Sequence, residues 1–178
     1  GQPFEDGTLL VAPMRAVDAD TLASSLVHSL THAWFYSSHV WLDEGVPQLM
    51  SLLWIEHTQG RDTALRQLQQ QVNLLALAEP AIPPNADSAP SGQSLIQASD
   101  EIYYRTKAAA VLWMLRSVVG NDLLKQALQT YRKDSARDSD PKEFQRILEL
   151  CSHKDLNWFF DDWVYHDRGL PDLTLASI

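Results

Sequence analysis

Apolar positions recur at helical spacing over most of this 178-residue chain. Leu22, Leu26, Leu30 and Trp34 repeat every four residues on one face, which predicts a helix capped by Asp18 or Asp20 and running to about Phe35. A second helix is expected from near Asp43 to Gly60, a glycine C-cap, with Pro47 tolerable only if it falls in the first turn. Leu65, Leu68, Val72 and Leu75 carry a third, from about Asp62 to Ala78. The pattern then breaks from Glu79 to Gly92, where Pro80, Pro83, Pro84 and Pro90 read as a long surface loop. Helices resume from Asp100 to Val119, closed by Gly120, and from about Asp122 to Lys133. Asp140-Pro141 opens a sixth, with proline at the favoured first position. Asp155 begins a seventh through Trp158, Phe159 and Trp163 to near His166. The apolar run Thr8 to Ala12 reads as a strand at the edge of a larger sheet, and Leu173 to Ala176 as the first strand of a further domain. The expected fold class is all-α (mainly α): a helical array with short extended ends, forming one domain over residues 1–178.

Composition narrows the partners. About 45% of the residues are apolar, enough for a sizeable core. The formal charge of -9 gives a surface that repels phosphate backbones, which argues against nucleic acid. No segment approaches the roughly 18 uncharged apolar residues of a membrane span. Cys151 is the single cysteine, so an internal disulfide is excluded, and its apolar setting reads as a small buried hydrophobe. The chain does not begin with Met, and the expectation is an excerpt of a longer protein with other domains.

Chemistry concentrates in His28-Ser29-Leu30-Thr31-His32 and Trp41-Leu42-Asp43-Glu44-Gly45. Histidines four apart share one helix face, about one turn from each other. Both imidazoles can then reach one zinc ion at about 2 Å. A carboxylate from the start of the next antiparallel helix can complete the set, and Glu44 is placed to do so. The bland reading is a pair of imidazoles hydrogen-bonded between packed helices, with Glu44 paired to a protonated histidine because an unpaired buried carboxylate is costly.

In order along the chain, these motifs resemble the aminopeptidase-N-type gluzincin family of zinc metallopeptidases. His28, His32, Trp34 and Phe35 match its H-E-x-x-H motif with the aromatic pair that follows, and Trp41, Leu42, Glu44 and Gly45 match its W-L-N-E-G. Lys107-Ala108-Ala109 through Met114-Leu115 and Gly120 resemble its Y-x-K-G helix, and Trp163 with Gly169, Leu170 and Pro171 resembles the end of its helical domain. The resemblance implies the C-terminal lobe of a gluzincin catalytic domain, with His28, His32 and Glu44 as zinc ligands and a peptide or protein segment in the cleft.

Three departures stand out. Ser29 occupies the position of the family's general-base glutamate. A serine hydroxyl cannot act as a base near neutral pH, and losing such a group costs about a hundred- to ten-thousand-fold in rate. Only eleven residues separate His32 from Glu44, fewer than the family places there. Arg105 stands where the family has its transition-state tyrosine. Tyr103 and Tyr104 are adjacent, and Tyr104 is the candidate replacement, although a one-residue slip turns a helical side chain by about 100°. The family's substrate-anchoring G-x-M-E-N strand has no clear counterpart, and Glu5 is the candidate for its glutamate.

Structural roles compete with several of these. Asp43 reads better as a helix cap than as a substitute base, and Tyr103 and Tyr104 better as packing residues. Lys107 and Arg105 read as solvated or salt-bridged. Trp158, Phe159, Phe160 and Trp163 read as core, while His39 in the short loop is a further candidate near the metal. Three functions remain open from the sequence. The first is a zinc-binding or vestigial pseudoenzyme with little or no hydrolysis; the second is an active zinc hydrolase using another base; the third is a metal-free helical module that binds peptide or protein.

Overall fold

The computed structural model describes residues 4–6, 9–11, 19–78, 94–133 and 138–166. Two short strands, β1 (Phe4–Asp6) and β2 (Leu9–Val11), pair antiparallel, with Glu5 opposite Leu10. The helices follow: α1 (Ala19–Trp34), α2 (Val40–Gln59), α3 (Arg61–Ala78), α4 (Glu101–Val119), α5 (Asn121–Lys133), α6 (Glu143–Ser152) and the single turn α7 (Asn157–Phe160). A π-helical turn, Asp161–Tyr165, continues directly from α7. The all-α expectation therefore holds. The predicted strand at residues 8–12 is β2, whereas its partner β1 had no readable apolar pattern. The predicted tail strand, the proline-rich loop and Asp18 lie outside the described residues.

Helix α2 is the hub, packing against α1, α3 and α4. Its buried positions include Trp41, Leu42, Gly45, Val46, Leu49, Leu52 and Ile55, an apolar band too wide for a surface helix. Helix α4 is enclosed further: Thr106 through Trp113 are all buried. Its Ala108-Ala109-Ala110 run is small enough for neighbouring backbones to come close. The approach is tightest at Gly45, where a Cβ would lie 2.6 Å from the Cβ of Ala108. Truncating a core leucine such as Leu49 or Leu112, both fully buried, would cost about 2–5 kcal/mol.

The ends of α4 follow the local rules. Asp100 Oδ1 accepts from the Tyr103 amide at 2.8 Å as N-cap, and Gly120 closes the helix at φ +94°. Gly60 ends α2 in the same way at φ +91°.

Several expectations need correction. Helix α2 starts at Val40, so Pro47 lies well inside it and not in its first turn. The proline removes the amide that would bond the carbonyl of Asp43; burial of the surrounding band outweighs that loss. Helix α6 begins at Glu143, and Asp140-Pro141 form the turn before it, where Asp140 Oδ1 accepts from the Lys142 amide at 2.9 Å. On α1, Leu30 and Trp34 are exposed, so the four-residue stripe is not uniformly a core face. Trp158 is exposed while Phe159 and Phe160 are core. Cys151 is partly buried against the core rather than enclosed by it. No described helix is long and apolar enough to cross a membrane.

Candidate metal centre

The connection between α1 and α2 is the segment from Phe35 to His39. Such a short link turns the chain back on itself, and Ser51 Oγ, midway along α2, donates to the Ser24 carbonyl on α1 at 2.9 Å. The helices therefore run antiparallel, and the second histidine motif residue faces the first turn of α2. The loop is pinned from both sides. Asp43 Oδ1 accepts from the Ser37 amide at 3.0 Å, so Asp43 holds the loop and does not cap its own helix. Ser37 Oγ donates to Asp138 Oδ1 at 2.8 Å, and Ser38 Oγ donates to the Asp138 carbonyl at 2.9 Å. The Ser38 amide and the Tyr131 hydroxyl also donate to the Asp138 carboxylate. Phe35, fully buried, stacks on the Tyr131 ring with centroids 6.1 Å apart.

This anchoring brings His28, His32 and Glu44 together. The imidazoles meet edge to face with centroids 5.2 Å apart. Glu44 Oε2 lies 3.7 Å from His28 Nε2 and 3.9 Å from His32 Nε2. One ligand atom from each residue falls within 4.8 Å of the others. Two imidazole nitrogens and a carboxylate oxygen are a zinc donor set, and three protein ligands leave a fourth position for water or substrate. The residues present fit the ion. Each side chain retains between 15% and 19% of its exposure, so the triad is reachable from solvent.

A fourth residue joins them. Arg105 of α4 sets Nε 2.8 Å and Nη2 2.6 Å from Glu44 Oε2, while Nη2 also lies 2.6 Å from Glu101 Oε1. Burial pushes the Glu44 carboxyl upward, but the neighbouring His28 imidazole and the Arg105 charge and hydrogen bond outweigh it, and its pKa falls to about 2. Glu44 is thus ionised, as a ligand must be. The sequence placed Glu44 opposite a histidine when no metal is bound; its shortest contacts are to Arg105 instead. Nothing in the one-dimensional pattern signalled that pairing, because the two residues are 61 positions apart.

The remaining candidates separate clearly. Ser29 lies on α1 between the two histidines and is buried. Tyr104 is partly buried against the core, and its phenol is pushed upward by burial and by the negative charge of Glu44. It therefore stands within electrostatic reach of the triad without belonging to it. Lys107 is not solvated: it is fully buried, and Nζ donates to the Tyr103 hydroxyl at 2.9 Å. His39 lies at the N-terminus of α2 and is not in the ligand group found among the described residues. Glu5 is in β1, paired with Leu10; its side chain lies outside the described set. A cavity of about 490 Å³ opens further along α2, between Trp34, Leu53, His57 and Leu128, and none of the triad lines it.

An antiparallel helix pair carrying two histidines and a glutamate, backed by a buried helix, defines a domain of the zinc-metallopeptidase type. The chain belongs to peptidase family M1, whose domain model matches residues 4–163. It is a member of the aminopeptidase-N-type gluzincins. Two solved structures share the fold. One is a two-domain M1 zinc metallopeptidase mutant bound to L-tryptophan, with TM-score 0.69 and 22% identity, covering 97% of this chain and 38% of that one. The other is an M1 zinc metallopeptidase mutant from Deinococcus radiodurans bound to a Tyr-Ser-Ala substrate, with TM-score 0.68 and 22% identity, covering 97% of this chain and 39% of that one. The chain thus spans less than two fifths of the length of these structures. No curated protein matches it.

Proposed function

We propose that this is a degenerate metallopeptidase domain: His28, His32 and Glu44 hold zinc, and peptide hydrolysis is slow or lost because Ser29 replaces the base. The observation that carries the reading is the contrast at α1, where both histidines converge on Glu44 while the residue directly after the first of them is a buried serine. When bound, zinc supplies a Lewis acid and lowers the pKa of its water towards 7. The chain's own residues do the rest. Glu44 and the two imidazoles fix the position of the ion. A base would have to stand beside the fourth position to take a proton from water and return it to the leaving amine. Ser29, at the base's position in the motif, supplies only a hydroxyl, which cannot hold that proton near neutral pH. The neighbouring carboxylates are committed elsewhere: Asp43 to the Ser37 amide and Glu101 to Arg105. On this reading the domain's remaining role is to bind a peptide or protein segment.

Two measurements test this. Metal content of the purified protein, after zinc loading and dialysis, should be about one zinc per chain and should vanish in the His28→Ala/His32→Ala double variant. Peptide hydrolysis should be near background and should rise about a hundredfold or more in Ser29→Glu. Zinc-dependent peptidase activity in the unaltered protein at the level of Ser29→Glu would refute the degenerate reading.

A further inference from the structure

The position of Arg105 has a consequence for metal binding, and it rests on the reading of the triad as a zinc site. The close crossing of α2 and α4 at Gly45 and Ala108 sets the geometry. Glu44 immediately precedes Gly45, and Arg105 lies one helical turn before Ala108, so the contact that needs glycine also brings guanidinium to carboxylate. Two nitrogens of Arg105 lie against one atom. Nε at 2.8 Å and Nη2 at 2.6 Å both reach Glu44 Oε2, the same oxygen that faces His28 Nε2 and His32 Nε2.

A carboxylate oxygen has about two lone-pair directions; the Nε–H takes one, and Nη2 stands at contact distance from the same oxygen. A zinc ion on the same oxygen would sit about 2 Å from it. With the guanidinium nitrogens at 2.6 and 2.8 Å, ion and guanidinium would be less than about 5 Å apart, in a site only partly open to water. Two cations cannot share that oxygen at low cost.

An alternative seat for the guanidinium is already in contact. Glu101, one turn before Arg105 on α4, accepts from Nη2 at 2.6 Å and is itself well exposed. A small rotation of the Arg105 side chain would release Glu44 while keeping the Glu101 pair, which lies at helical i,i+4 spacing.

We infer that Arg105 is an intramolecular competitor for the metal, closing the triad while it sits on Glu44 Oε2 and opening it by retreating to Glu101. Arg105 is then a gatekeeper of cation binding, stationed on the carboxylate that completes the His28, His32 and Glu44 donor set.

Calorimetric titration of the purified, metal-stripped protein with Zn²⁺, repeated with Co²⁺, tests this directly. Arg105→Gln should bind either ion about tenfold or more tightly than the unaltered protein, and His28→Ala/His32→Ala should remove that binding. Arg105→Lys, which keeps the charge but lacks the two-pronged fork, should fall between them and provides the comparison if the glutamine variant does not fold. Glu101→Gln, which removes the alternative seat, should weaken binding several-fold. Equal or weaker affinity in both Arg105 variants, with the unaltered protein still binding one ion, would overturn the competitor role and leave the zinc site standing. No binding in any variant would overturn the zinc reading and the competitor with it.

Discussion

Glycine at position 45 decides more than helix geometry. A methyl group there would meet the Ala108 Cβ at 2.6 Å, and both carbons are bonded to backbone, so no rotamer relieves the clash. Gly45→Ala is therefore expected to lower stability by about 1–3 kcal/mol through overpacking, read as a lower urea midpoint. Adding Ala108→Gly should recover part of the loss, because it removes the other half of the contact. A neutral Gly45→Ala would show that α2 and α4 can separate without penalty.

The loop from Phe35 to His39 is the element on which the site depends. Asp138 receives donors from Ser37, Ser38 and Tyr131 and is nearly enclosed, so it ties the α1–α2 turn to the segment between α5 and α6. Removing it with Asp138→Ala strands those donors, and a loss of about 2–3 kcal/mol is expected by chemical denaturation. The same interaction sets an acid limit. Burial pushes the Asp138 carboxyl upward, but the Tyr131, Ser38 and Ser37 donors outweigh it and hold it below the ordinary carboxylate value. A depressed carboxyl stabilises the fold above its unfolded pKa, about 3.9, and that contribution fades as pH falls through its lower folded value. Urea midpoints of the unaltered protein should thus drop below about pH 4, and Asp138→Asn should show a flatter dependence there. An identical pH profile in both would remove Asp138 from the account.

For the molecule as a whole, the array converges on α2 and α4, and the triad sits where α1 meets them. An ion that binds only the folded chain stabilises it by mass action, about 2.7 kcal/mol at a hundredfold excess over the dissociation constant. For a chain of this length that corresponds to a rise in Tm of about 5–10 °C. Zinc should raise the melting temperature by this amount, EDTA should reverse it, and His32→Ala should abolish it. A zinc-independent Tm would favour a metal-free helical module. Membership of family M1 and a span of under two fifths of the related structures place this helical array beside other domains in those proteins.

How much of this was legible in one dimension depends on the range of each interaction. Helix positions, the glycine caps at Gly60 and Gly120, and the spacing of His28, His32 and Glu44 are local, because periodicity and capping act within a few residues; they determined the helical class and the candidate ligands. Contacts between distant segments were decided by tertiary packing alone. Lys107 reads as solvated or salt-bridged from sequence; in the fold it is fully buried, and its ammonium donates to the Tyr103 hydroxyl. Pro47 reads as lying near a helix start, yet α2 begins at Val40 and carries the proline in its interior. Asp43 and Asp138 became loop anchors, and Arg105 became the partner of Glu44, only once helices far apart in the chain were brought together. A charge can be assigned from sequence, but the group that neutralises it depends on which surfaces meet, and here that was settled by a glycine facing an alanine.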